Sequence, residues 1–99
     1  MPSKKEKFSR YDVADYLKSE EDLAAYLDAC MEEAGDDAAY IAAALGDIAR
    51  ARGMAQLAKD TGISREGLYK ALSPDGNPSL ATVLKVVKAL GLKLATKVA

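Results

Sequence analysis

The residues that end helices constrain this chain most. Gly35, Gly53, Gly62, the run Pro74-Asp75-Gly76-Asn77-Pro78 and Gly91 cut it into short segments, and two prolines with a glycine cannot sit inside a helix of that length. Between the breaks, apolar residues recur at helical spacing. Leu23, Tyr26, Leu27, Cys30, Met31 and Ala34 form one stripe, and Ile41, Ala44, Leu45, Ile48 and Ala49 form the next. Starting signals stand where they are needed: Ser19 with Asp22 three residues on resembles a capping box with Asp in place of Glu, Asp36 or Asp37 can cap the second stripe, and Ser64 and Ser79 precede later ones. The pattern predicts an all-α fold of five to six helices. A short helical turn through Val13, Ala14, Tyr16 and Leu17 comes first.

With 99 residues and 49% hydrophobic content the chain can close one modest core. Leu, Ala, Ile and Val dominate while aromatics make up only 6%, which favours packed helices over a β-sandwich. Residues 1–10 are expected to be a flexible basic tail, and residues 11–99 a single helical domain. In the last helix Leu80, Val83, Leu84, Val87 and Leu90 are expected on the inner face, with Val86 off that stripe. Leu92, Leu94, Thr96 and Val98 then alternate with Lys93, Ala95 and Lys97, the period of a short strand or extended tail. A lone strand is marginal, so it either frays or pairs with its copy in a second protomer.

Several function classes are disfavoured. Apolar runs fall far short of the ~20 residues that span a bilayer, and the N-terminus lacks a secretory hydrophobic stretch; a cytoplasmic protein without membrane contact is expected. One cysteine and no histidine leave no internal disulfide and no imidazole-based metal site, so neither metal nor cofactor is expected. Cys30 reads as a small buried apolar side chain. Carboxylates are plentiful but lie on capped helices without histidine or a glycine-rich phosphate loop, so no acid/base pair can be placed and no enzyme is expected.

The net charge of -1 hides a strong segregation. Residues 1–10 are basic. Residues 12–37 hold ten acids against Lys18, and from Asp47 onward nine Lys and Arg face four acids. Such a division implies two surfaces with different partners, although exposed helices need charge for solubility in any case.

The diagnostic stretch lies in the basic half, from Met54 to about Ser73. Ala58 is small where two helices would cross, Gly62 permits the left-handed backbone of a tight turn, and Ile63 and Leu68 would plug the corner. Ser64 can cap a second helix that shows Arg65, Glu66, Tyr69 and Lys70 outward while Leu68, Ala71 and Leu72 point inward. With the following Asn77-Pro78-Ser79-Leu80, this pattern resembles the phage-repressor helix-turn-helix family, also called Cro/C1-type or XRE, over about residues 45–91. It departs where Met54 replaces the usual Gln and where Gly67 interrupts the second helix, at a cost of up to roughly 1 kcal/mol unless a close approach uses it.

The resemblance implies a lambda-repressor-like fold bound to double-stranded DNA. Arg65, Glu66 and Lys70 would reach base edges in the major groove, Gln56, Ser64 and Tyr69 would bond phosphate or sugar, and Asn77 and Ser79 would add backbone contacts at the start of the last helix. Glu66 either accepts from a cytosine or pairs with Lys70 at i, i+4.

Over nearly its full length the chain also resembles the addiction-module antidote proteins, the antitoxins of type II toxin-antitoxin pairs. Tyr11 to Leu17, Ala42 to Gly53, Leu68 to Ser73 and Ala89 to Leu94 carry that likeness. It implies a homodimer that represses its own operon and neutralises a small basic toxin of the RelE/ParE-like class. The acidic segment would dock the toxin through Glu20, Glu21, Glu32 and Glu33, with Tyr11 and Tyr16 as anchors; Tyr26 and Tyr40 are either anchors or core. A stand-alone phage-type repressor without a toxin is the alternative.

Overall fold

A computed structural model describes residues 17–98. Five helices follow one another: α1 (Glu20–Ala34), α2 (Ala38–Arg52), α3 (Met54–Thr61), α4 (Arg65–Ala71) and α5 (Leu80–Ala89). No strand is present among the described residues. The expected tail 1–10 and the turn through Val13, Ala14 and Tyr16 lie outside them.

The capping residues act as their chemistry dictates. At α1 the Asp22 N–H donates to Ser19 Oγ at 3.1 Å and the Ser19 N–H donates back to Asp22 Oδ2 at 3.1 Å, which completes the capping box. The Lys18 and Ser19 N–H groups both donate to the Asp22 carboxylate and hold its pKa below the ordinary value. Of the two candidates at α2, Asp37 is the cap, accepting from the Tyr40 N–H at 3.1 Å.

Helix α2 is the central strut. Every residue from Ala42 to Ala49 is buried, and a helix covered on all sides sits inside the fold. Small residues make this possible. A Cβ on Gly46 would stand 2.3 Å from the Leu72 carbonyl oxygen, so α2 meets the end of α4 where only a glycine fits. Leu45, Ile48, Leu57, Leu68, Val86 and Leu90 form the sealed centre. Each such side chain stabilises the fold by about 1.5–3 kcal/mol relative to exposure.

At the C-terminal end one expectation changes and one alternative is settled. Val86, expected off the stripe of α5, is fully buried with Val87 and Leu90, while Leu80 and Leu84 are 69% and 47% exposed. The helix Leu80–Ala89 is apolar on most of its circumference, so periodicity could not tell which side meets the core. The alternating tail forms no strand. The Leu92 N–H turns back to the Val87 carbonyl at 3.0 Å and the Gly91 N–H to Lys88 at 3.0 Å, a Schellman-type ending with Gly91 at φ 79°. This places Leu92 against the core.

Candidate nucleic-acid interface

Helices α3 and α4 are joined by three residues, Gly62, Ile63 and Ser64, and their geometry follows from the side chains. Gly62 takes φ 76°, ψ 10° and closes α3 by donating to the Ala58 carbonyl; this left-handed conformation costs an L side chain about 1 kcal/mol or more. Thr61 Oγ1 donates to the Leu57 carbonyl at 2.8 Å and accepts from the Ile63 N–H at 3.2 Å, which fixes the turn's exit. Ser64 then caps α4, accepting from the Gly67 N–H at 3.0 Å. Leu68 and Leu72 are buried, and Ile63, Ala58 and Ala71 pack partly buried against the same core. The corner is plugged as expected.

Gly67 has a local explanation. A Cβ there would meet Ser64 Oγ at 3.1 Å and Ile63 Cγ2 at 3.2 Å, so the glycine makes room for the cap and the corner residue, not for a neighbouring helix. The open face of α4 carries Arg65, Glu66, Tyr69 and Lys70, all exposed. Among the described residues Glu66 forms no ion pair with Lys70, and neither Arg65 nor Lys70 has an acidic partner.

The remaining residues of this candidate set are exposed as well. Gln56 donates its amide to Asp60 at 2.9 Å along α3. Asn77 lies in the loop before α5. Ser79 has its hydroxyl committed, accepting from the Thr82 N–H and donating to Thr82 Oγ1, both at 3.1 Å. What the start of α5 offers is therefore backbone N–H groups in a first turn without acidic residues, an electrostatically positive end.

Beside α4 runs a cleft of about 210 Å³ between Gly46, Arg50, Met54, Tyr69, Leu72 and Pro74. Arg50 reaches it from α2, paired with Asp47, which is only 4% exposed. Asp47 also accepts from the Tyr26 hydroxyl at 2.8 Å, so one buried carboxylate ties α1 to α2 and orients a guanidinium at the edge of α4. Burial and the Asp47 carboxylate push the Tyr26 hydroxyl far above its ordinary pKa. Sequence reasoning missed Asp47. An acid inside the apolar run Ala42 to Ala49, three residues before an arginine, was the available signal.

The acidic surface is less uniform than its composition. Arg52 donates to Glu20 Oε2 at 3.2 Å and to the Leu90 carbonyl at 2.9 Å, while Tyr40 donates to Glu33 Oε1 at 3.0 Å. Burial and Glu33 push the Tyr40 hydroxyl up to about 12. Glu21 and Glu32 are exposed and share a helix face with Asp28. Tyr26 is half-buried against the core and Cys30 is buried, with burial raising the thiol's pKa. Tyr11 and Tyr16 lie outside the described residues. No described helix is long and apolar enough to cross a membrane.

The chain is thus an all-helical scaffold with exposed cations on α4 and exposed acids on α1, and comparison with known proteins supplies its family. Residues 7–98 match the family model described as "Probable addiction module antidote protein". A protein of Haemophilus influenzae Rd, described only as an uncharacterized protein, is 57% identical over 88 residues, covering 89% of each chain. No solved structure gives a significant match. The chain belongs to the addiction-module antidote family, which implies a regulatory role with a toxin as partner.

Proposed function

We propose that this antidote is a DNA-binding antitoxin that represses its own operon through a helix-turn-helix of the phage-repressor type and neutralises a small basic toxin of the RelE/ParE-like class. The observation that carries the DNA half is α4. Its inner side is anchored by Leu68 while Arg65, Tyr69 and Lys70 stand outward, the two cations without acidic partners among the described residues. A guanidinium so presented can grip guanine O6 and N7 in the major groove. Gln56, Ser64, Tyr69 and Asn77, all exposed, and the amides after Ser79 serve as phosphate and sugar contacts, and the absence of a Glu66–Lys70 pair among the described residues favours Glu66 as a base contact. Cations also raise the encounter rate with a polyanion.

Such a short reading head covers few base pairs, so the proposal includes a homodimer that sets two α4 helices about 34 Å apart on successive grooves. Val86 is sealed in the core and cannot serve the interface; the exposed Leu80 and Leu84 of α5 replace it. The toxin half rests on family membership and on the acids of α1. Of the four acids, Glu20 and Glu33 are engaged within the molecule by Arg52 and Tyr40, so Glu21 and Glu32 remain as the toxin contacts.

Titrating the full chain against duplex from upstream of its own operon and against a shuffled duplex tests the reading. Preference for the upstream duplex by about a thousandfold or more, falling steeply with salt, is expected. Equal weak affinity for both duplexes contradicts it. Sedimentation at tens of micromolar should show a dimer.

A further inference from the structure

An apolar groove of about 510 Å³ runs between α1, α2, α5 and the tail. Leu45 and Val87 form its floor, and Met31 of α1 and Leu94 of the tail stand on its rims, 48% and 50% exposed. Along the α1 rim, Glu21, Asp28 and Glu32 are seven and four residues apart, which aligns them in one row on the helix face that also carries Ala24 and Ala25. Ala24, Ala25 and Asp28 line the groove directly. Apolar floor and acidic α1 rim thus run side by side, with Lys93 lining the groove from the opposite, tail side.

We infer that this groove is the toxin-docking surface, and that its occupant is an amphipathic helix of the toxin whose apolar stripe lies between Met31 and Leu94 and whose basic flank faces Glu21, Asp28 and Glu32. The inference rests on the antitoxin reading and deepens it. Charge complementarity selects the occupant: an anionic row beside an apolar trough fits a helix with cations on one flank.

The present partner of Asp28 is weak. Lys97 Nζ stands 3.9 Å from Asp28 Oδ1, with both side chains well exposed, and such surface pairs contribute little. A cation from the incoming helix can take that place without breaking a buried contact. Met31 suits the role because its unbranched thioether repacks against a new surface at low cost. Glu33, engaged with Tyr40, lies on a different side of α1 and is assigned no part.

The test measures affinity and rates of the full chain for the purified toxin encoded beside its gene. Met31→Lys and, separately, Leu94→Lys should weaken binding by about tenfold or more, chiefly through faster dissociation. Glu21→Lys with Glu32→Lys should slow association by about tenfold, an effect that shrinks as salt rises. Glu33→Lys should stay within about twofold. Circular dichroism verifies that each variant is helical, and Leu94, lying outside the helices, guards against a misfolded Met31 variant. Folded groove variants that bind the toxin as wild type does would overturn the inference while leaving the antitoxin reading intact. Conversion of a wild-type dimer to monomer by Met31→Lys, with toxin affinity kept, would also overturn it by giving the groove to a second copy. Failure of the wild-type chain to bind the toxin would remove the antitoxin reading itself, and the groove assignment with it.

Discussion

Helices α1 and α4 both expose charge, yet the charge means different things. The fifteen-residue α1 carries acids that are partly spent inside the molecule, Glu20 on Arg52 and Glu33 on Tyr40. The seven-residue α4 is too short to persist alone; it is held by the Ser64 cap and by Leu68, and its cations are not spent among the described residues. Composition alone would treat both as solvated faces. Structure separates them: α4 is a rigidly seated helix with unengaged cations, as the proposed contact with an external anion requires, whereas α1 combines framework contacts with an acidic row, paired only through Asp28 with Lys97, beside an apolar groove.

Breaking the seat of α4 should have the largest effect. Leu68→Ala removes a fully buried side chain at the corner and is expected to cost about 2–5 kcal/mol of folding stability, measured by urea unfolding. A loss below 1 kcal/mol would mean that α4 is not anchored as described. The tie between α1 and α2 comes next. Asp47→Ala strands the Tyr26 hydroxyl and the Arg50 guanidinium; because Arg50 is about a third exposed and water can replace part of the contact, a cost of about 2 kcal/mol is expected.

The smallest effect concerns alkaline pH and belongs to α1 and α2 alone. Tyr26 and Tyr40 ionise in the folded chain above the ordinary value of 10.0. A raised folded pKa contributes stability that is complete below the unfolded value and is lost as pH rises through the folded one. The share from Tyr40 should therefore fade between pH 10 and about 12, while that from Tyr26 starts to fade at the same pH 10 and continues past 12. Melting temperature followed from pH 8 to 12 should decline above 10, less steeply in Tyr40→Phe. An unchanged slope in that variant would contradict the assignment.

How much of this was legible in the sequence depended on how local the physics was. Caps are settled within four residues, so Ser19, Ser64 and Ser79 are legible directly and the α2 cap narrows to Asp36 or Asp37; the left-handed Gly62 and the inward Leu68 are legible too. The α5 face could not. Leu80, Leu84 and Val86 are chemically alike, and only the position of α2 and α3 decides which one is sealed. The same holds for Asp47, whose burial is dictated by the small residues around it and by Tyr26, twenty-one residues away. For the tail, the alternation allows a strand or an extended segment, and the second is present: no partner strand exists among the described residues, and the Schellman turn at Gly91 commits Leu92 to the core. At the candidate site the outward face of Arg65, Glu66, Tyr69 and Lys70 is legible from helical spacing, whereas the commitment of the Ser79 hydroxyl to Thr82 depends on which rotamers the two side chains adopt.

In the proposed mechanism α4 presents its unengaged cations to DNA while the toxin is held elsewhere. The double variant Arg65→Ala with Lys70→Ala tests it most directly, titrated in parallel against the upstream duplex and against the toxin. Each side chain that reads a base should contribute roughly 1–3 kcal/mol, so specific DNA binding should fall by at least about tenfold while toxin affinity stays at the wild-type value. A folded double variant that binds the upstream duplex as tightly as wild type would contradict the account.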